Sequence, residues 1–311
     1  MTHNDQHDRS PNSLISIPLT SPPLRVPIEQ TVSRFTKRKW SVQSARDMSD
    51  FAYHHCAILA DDAFAVFVKY SQAPQGAKQF EVELAGLRFL SKNTGVMVPT
   101  PIDIVAVENG TLLIMEALQA IERTPLHWRQ IGQALARIHS IKADYCGFPT
   151  DGFLGPLYQD NTPTQDWVTF FRERFLQPRL RLAIDSGNIP APVASQVETL
   201  IQRLPELCGP ETTPCLLHGD AQQNNFINTA QGTFVIDPAI YYGNPEIDLA
   251  FIDCFQSAPD DVLNAYREEM PIDPGFFERR DLWRVSMYLA AVALEGPMHL
   301  YRLTNALQSY F

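Results

Sequence analysis

The chain has 311 residues, 45% of them hydrophobic, enough to bury a sizeable core as one large domain or two lobes. Its 35 acidic against 25 basic residues give a formal net charge of -10, which argues against a general nucleic-acid or anionic-membrane surface and leaves phosphorylated ligands to be met locally. Five cysteines, odd in number and without Cys-x-x-Cys spacing, indicate neither a disulfide framework nor a zinc site and fit a reducing cytoplasm.

Residues 1–30 are polar and then Pro-rich, with Pro11, Pro18, Pro22, Pro23 and Pro27, and read as a flexible extension without a signal peptide. No later run reaches the length of a membrane-spanning helix, so a soluble cytoplasmic protein is expected. The basic run Arg34–Trp40 carries two aromatics and reads as a solvated face, given the overall acidity. Strands are predicted over Ala52–Leu59 and Phe64–Tyr70, joined by Asp61-Asp62, the second ending in Val66-Phe67-Val68-Lys69. A lysine that closes an apolar strand can reach nucleotide phosphates and be held by a glutamate on the next helix. That helix is predicted over Ala77–Lys92, where Phe80, Leu84, Leu87 and Leu90 form one face. Glu83 flanks this face and can point at Lys69, whereas Glu81 lies toward solvent; the alternative is an edge lysine and a surface glutamate. After Val98-Pro99-Thr100-Pro101 come strands Ile102–Val107 and Thr111–Met115 around Asn109-Gly110, giving a five-stranded lobe with one strand before Ala52 unassigned. Leu112–Leu118 then serves as the connector between lobes. Met115 would back an adenine pocket or simply fill the core, and the backbone of Glu116 to Leu118 would offer hydrogen bonds to the base.

Beyond residue 117 the pattern is mostly helical. Helices are predicted over His127–Ile141, Asp166–Ile184, Pro192–Leu207, Pro259–Glu269 and Phe276–Leu307, with a Gly-, Pro- and Asn-rich loop at Gly147–Pro163. The densest chemistry lies in Leu216-Leu217-His218-Gly219-Asp220, Asn225 five residues after that Asp, and Phe234-Val235-Ile236-Asp237. Kinase-type phosphoryl transfer needs a carboxylate that accepts the proton of the attacking hydroxyl, and an amide oxygen with a second carboxylate that hold Mg²⁺ against nucleotide phosphates. Asp220, Asn225 and Asp237 fill these roles in that order. His218 is expected to pack and bond the loop backbone rather than move a proton, and Asp248 to brace the catalytic loop or cap its helix.

With these residues in place the chain resembles the fructosamine kinase family, allied to aminoglycoside phosphotransferases and choline kinases. The resemblance covers about residues 45 to 300 and rests on Val66-Phe67-Val68-Lys69, Phe80-x-x-Glu83-x-x-Gly86-Leu87, Gly147-Phe148-Pro149, Asp166-Trp167-x-x-Phe170-Phe171, Leu216–Asp220 and Ile236-Asp237-Pro238-Ala239 through Glu246-x-Asp248-Leu249-Ala250. It implies an α+β, two-lobed protein-kinase-like fold, with a small antiparallel nucleotide-binding lobe (31–116) and a larger, mostly helical catalytic lobe (117–311). It further implies Asp220 as base, Asn225 and Asp237 as Mg²⁺ ligands, Lys69 with Glu83 as the phosphate-clamping pair, and Trp167 with Phe170 on the acceptor side. The expected reaction is ATP- and Mg²⁺-dependent phosphorylation of a sugar hydroxyl on a ketosamine, a deglycation step. The rival readings are a kinase for another hydroxylated amine, aminoglycoside- or choline-like, and a nucleotide-binding pseudokinase. Two departures stand out. Asp47–Tyr53 lacks the family's glycine-rich turn, and Ala221-Gln222-Gln223-Asn224-Asn225 replaces Leu-Trp-Ser-Gly-Asn, so an altered acceptor preference is expected.

Overall fold

The computed structural model describes residues 18–51 and 53–311, which divide into two compact units, 18–81 with 99–118 and 82–98 with 119–311. In the first unit, β1 (Ser44–Asp47), β2 (His55–Ala60), β3 (Ala65–Ser71), β4 (Pro101–Val107) and β5 (Gly110–Glu116) form an antiparallel sheet in the order β1-β2-β3-β5-β4. β1 is the strand that the sequence left unassigned. The turn between β2 and β3 is closed by Asp61, whose Oδ1 accepts the Ala63 and Phe64 N–H groups at 2.9 and 2.8 Å.

Part of the stretch read as a loose extension is helix α1 (Pro22–Thr36). Pro22 and Pro23 occupy its first turn, where no N–H is needed, and Pro27 forgoes one further backbone bond. That loss is offset by Leu24, Ile28 and Val32, which recur every fourth residue and join Leu19, Trp40, Leu59, Val68 and Leu112 in the core of this unit. Residues 1–17 lie outside the described residues. Within the basic run, Trp40 is itself buried and donates its indole N–H to Phe64 O, while Arg38 pairs with Asp61.

α2 (Gly76–Thr94) is divided between the units after Glu81. Its predicted apolar face is buried at Phe80, Leu84, Leu87 and Leu90. In the second unit, α3 (Pro125–His139) is followed by the hairpin β6 (Gly152–Leu154) and β7 (Leu157–Gln159). The helix predicted over Asp166–Ile184 is present but not uniform: α4 (Trp167–Phe170) passes through a π-helical segment, Phe171–Leu176, into α5 (Gln177–Asp185). Pro178 supplies the reason, because its ring excludes a regular bond to the carbonyl four residues back and the wider turn accommodates the misfit. α6 (Ala191–Gln202) and α7 (Leu204–Leu207) lead to β8 (Cys215–Leu217), the hairpin β9 (Phe226–Thr229) and β10 (Gly232–Val235), and β11 (Tyr241–Gly243), which pairs back on β8. α8 (Glu246–Phe251), α9 (Asp261–Glu269), α10 (Phe276–Glu295) and α11 (Leu300–Gln308) complete the unit. The long final helix expected from sequence breaks at Gly296, whose φ of 101° no helix allows, before Pro297. The buried face of α10, including Leu282, Trp283, Val285 and Leu289, lies at the centre of this unit's core.

Candidate active site

The two short ladders of the second unit fix the ends of one loop. β8 delivers His218–Asn225, β9 and β10 return as a hairpin, and Asp237 follows β10 immediately before β11 rejoins β8. The loop begins with Gly219 at φ 82°, and a Cβ there would come within 2.0 Å of Ala239 O. Only glycine fits.

Asp248, in the first turn of α8, holds this loop from beneath. It is fully buried; Oδ2 accepts the His218 N–H at 2.7 Å and Oδ1 the Gly219 N–H at 3.1 Å. His139 Nε2 lies 3.1 Å from the same Oδ2, and the Tyr266 hydroxyl 2.9 Å from His139 Nδ1, so a buried polar chain reaches from the loop through α3 to α9. His218 Nδ1 accepts the Asp220 N–H at 3.2 Å and its Nε2–H donates to Ile236 O at 3.0 Å. With one ring nitrogen accepting and the other donating, the imidazole is a neutral wedge between the two segments and not a proton shuttle. Further on, Arg123 Nη2 donates to Gln223 O and Phe226 O at 2.9 and 2.8 Å, its guanidinium lying 4.3 Å from the Trp128 ring centroid. Thus the loop is pinned at both ends.

Between these anchors lies Asp220, half-buried, with Oδ1 receiving Gln222 Nε2 at 2.7 Å and Oδ2 receiving Asn225 Nδ2 at 2.9 Å. Burial raises its pKa, with the nearby Asp237 adding to the rise, while the Gln222 and Asn225 hydrogen bonds oppose it. Asn225 Nδ2 also donates to Asp220 O at 2.7 Å. Both amide protons are therefore turned to Asp220, and Oδ1 is the Asn225 atom left to ligate a cation. Asp237 has φ 52°, a left-handed conformation that costs a non-glycine residue on the order of 1 kcal/mol or more. It is held there by the bonds on either side, Ile236 N–H to Asn225 O at 3.0 Å and Ala239 N–H to His218 O at 2.8 Å. Among the described residues no group of three or more His, Cys, Asp or Glu could hold a metal. An amide oxygen and one carboxylate are instead the sparse, hard donor set that suits Mg²⁺, which keeps waters and shares its shell with phosphates.

Lys69 ends the apolar run of β3 and is only 4% exposed. Glu83, on α2, is half-buried where Glu81 is exposed, as the helical pattern predicted. Met115 is buried on β5. Of the predicted connector donors, the Glu116 N–H is bound to Thr100 O at 2.9 Å and the Ala117 N–H to Ala65 O at 3.0 Å, so both are already engaged. Trp167 and Phe170, expected on the acceptor side, are buried. Trp167 is 9% and Phe170 0% exposed, enclosed with Phe171, Phe175, Tyr241 and Trp283, and they stiffen the support of β11 rather than line a surface. Sequence reasoning missed Arg123 and His139, and also Arg179. Arg179 is buried near Asp220 and Tyr241, with its guanidinium 4.5 Å from the Phe175 ring centroid; burial lowers its pKa to about 10. Single polar residues, two on helices and Arg123 just before one, gave no local signal for these roles.

A model of the fructosamine kinase family matches residues 25–311. A protein of Synechocystis sp. named "Probable ketoamine kinase" is 30% identical over 273 residues, covering 86% of this chain and 90% of that protein. Ketosamine-3-kinase of Mus musculus is 28% identical over 73% of this chain and 82% of its own length. The crystal structure of a "putative fructosamine-3-kinase" from Thermobifida fusca superposes with a TM-score of 0.78 at 29% identity, covering 91% of this chain and 97% of the other. An aminoglycoside phosphotransferase shares the fold, with a TM-score of 0.59 at 14% identity over 90% of this chain and 98% of that one.

Proposed function

The chain belongs to the fructosamine kinase family, and we propose that it transfers the terminal phosphate of ATP to a sugar hydroxyl of a ketosamine, the adduct of a reducing sugar with an amine. The observation that carries this reading is the arrangement of Asp220 with Asn225, beside a left-handed Asp237 that the same loop holds in place. Each Asp220 oxygen receives one amide hydrogen bond and keeps a lone pair for the acceptor hydroxyl. As the hydroxyl oxygen attacks the terminal phosphorus, the O–P bond to ADP breaks and the hydroxyl proton passes to Asp220. Asn225 and Asp237 are assigned to Mg²⁺, which when bound neutralises charge on the transferring group. Lys69 and Glu83 are assigned to the nucleotide phosphates, and Met115 with the Glu116–Leu118 backbone to the base. The acceleration comes from positioning and electrostatics, for which a loop anchored by Asp248, His218 and Arg123 is suited. Release of the amine after phosphorylation would make the protein a deglycation enzyme.

The test is mass spectrometry of small-molecule products after incubation with ATP, Mg²⁺ and a panel of ketosamines, aminoglycosides and choline, with Asp220→Asn as control. One added phosphate on ketosamines alone, lost in the control, is the expected result. Phosphate on another panel member alone would move the substrate class, and no transfer to any would overturn the kinase assignment.

A further inference from the structure

The four consecutive amide side chains of residues 222–225 are not equivalent. Gln223 is buried and ties the loop to its surroundings: Nε2 donates to Gln256 O at 2.8 Å and Oε1 accepts from Arg123 Nη1 at 3.3 Å. Asn224 is exposed. Asn225 Nδ2 donates both to Asp220 O at 2.7 Å and to Asp220 Oδ2 at 2.9 Å, so its amide is held by the main chain as well as by the carboxylate. Gln222 is half-buried, and among the described residues its side chain makes one hydrogen bond, from Nε2 to Asp220 Oδ1 at 2.7 Å. Its backbone is fixed independently, because its carbonyl accepts the Asn225 N–H at 2.9 Å across the short turn Gln223–Asn225. The side chain therefore adds nothing to the frame of the loop, and its one partner is the carboxylate assigned as base.

An aspartate side chain turns about its Cβ–Cγ bond in a broad, roughly twofold well, so a fixed backbone alone does not settle where the carboxylate lone pairs point. One donor on one oxygen lets the group swing about that contact. Donors on both oxygens leave a single plane, with a lone pair still open on each oxygen. Asn225 serves two demands, Asp220 and the Mg²⁺ role assigned to its Oδ1, whereas Gln222 serves Asp220 alone.

We propose that Gln222 is a positioning residue for the base: by donating to Oδ1 while Asn225 donates to Oδ2, it sets the plane of the Asp220 carboxylate and so the direction of the lone pair that receives the acceptor's proton. The inference rests on the assignment of Asp220 as the base of a hydroxyl kinase. The effect belongs to kcat and not to KM. The proton is received only as the new oxygen–phosphorus bond forms, so a misdirected lone pair slows that step while nucleotide and acceptor bind as before.

The experiment is a double-mutant cycle in initial-rate kinetics, with 1-amino-1-deoxyfructose as acceptor, on the wild-type chain, Gln222→Met, Asp220→Asn and the two changes combined. Gln222→Met is similar in length but cannot donate; kcat is expected to fall about tenfold, with the KM values for ATP and acceptor within about twofold of wild type. Gln222→Glu sets an acceptor against Oδ1 and is expected to cost kcat about a hundredfold. In the Asp220→Asn chain, which has no base left to orient, Gln222→Met is expected to change kcat by less than about twofold. Melting temperatures check that each variant folds, and Gln222→Glu, the closest to wild type in shape, takes the place of Gln222→Met in the cycle if the latter does not. An equal loss with and without the Asp220 carboxylate would reduce Gln222 to a loop prop and overturn the proposal. So would a loss that falls on KM, or an unchanged kcat in Gln222→Met. Absence of transfer by the wild-type chain would instead remove the kinase assignment, and this inference with it.

Discussion

Replacing Asp248 by Asn separates support of the catalytic loop from chemistry within it. The side chain is fully buried and accepts from the His218 N–H at 2.7 Å, the Gly219 N–H at 3.1 Å and His139 Nε2 at 3.1 Å. Asn keeps the shape but turns one acceptor into an NH₂ donor. In the less costly orientation that NH₂ faces the Gly219 N–H, so two buried donors lose their partners at about 1–3 kcal/mol each, and the two remaining bonds weaken as the carboxylate is lost. The sum is about 3–5 kcal/mol, a large share of the roughly 5–15 kcal/mol that holds a folded protein. On a unit of this size it corresponds to a fall in Tm of about 10 °C. Thermal melts of the full chain followed by circular dichroism measure it directly. A shift under about 3 °C would refute the reasoning, since it would mean that water or a relaxed backbone meets the loop N–H groups without the carboxylate.

Asp220→Asn, two residues along the same loop, should behave in the opposite way: turnover falls about 10²-fold or more while the fold is retained. Burial raises the Asp220 pKa above its ordinary 3.8, so the folded chain binds this proton more tightly than the unfolded chain. Stability is then lost as pH rises from the unfolded value through the folded one. In EDTA and without nucleotide, Asp220→Asn should melt above wild type at pH 7, the gap closing toward pH 4; a lower Tm at pH 7 would contradict the assigned direction. Gly219→Ala combines a left-handed φ with a 2.0 Å approach to Ala239 O and should cost several kcal/mol, seen as loss of soluble protein or a much lowered Tm. Arg123→Lys keeps the charge but cannot serve Gln223 O and Phe226 O from one planar group, so kcat should fall about tenfold with little change in the KM for ATP, as initial-rate kinetics would record.

Elements whose signal is local were legible in the sequence. Apolar runs punctuated by Asp61-Asp62, Asn109-Gly110 and Val98–Pro101 placed β2 to β5, and the spacing of Phe80, Leu84, Leu87 and Leu90 placed α2 with its buried face. The offsets from Asp220 to Asn225 and on to Asp237 are local in the same sense, because a loop between two short ladders brings together residues that are near in sequence. Helix α1 was hidden because its prolines signal a break, yet two of the three sit where helices tolerate them. The burial of Trp167 and Phe170 was not legible, because an aromatic stripe looks the same whether it faces a ligand or a core. His139 and Arg123 were invisible for a plainer reason: their partners lie 109 and 100 residues away, and no spacing rule reaches that far.

That division follows from what each kind of residue must do. Groups proposed to meet a transferred phosphate need only the right chemistry at a short spacing, and a loop with the hairpin that follows it can supply it. Groups that make the loop rigid must come from elements that are rigid already, and those are distant in sequence: α8 through Asp248, α3 through His139 and the segment before α3 through Arg123. The left-handed Asp237 shows why such anchoring is needed. Its conformation is unfavourable in isolation and persists because the bonds at Ile236 and Ala239 fix the chain on either side of it. Those bonds end on Asn225 and His218, within the loop that Asp248 and Arg123 hold. The strain at Asp237, the carboxylate proposed for Mg²⁺, is therefore borne by long-range contacts, and weakening any one of them acts on Asp237 without touching it.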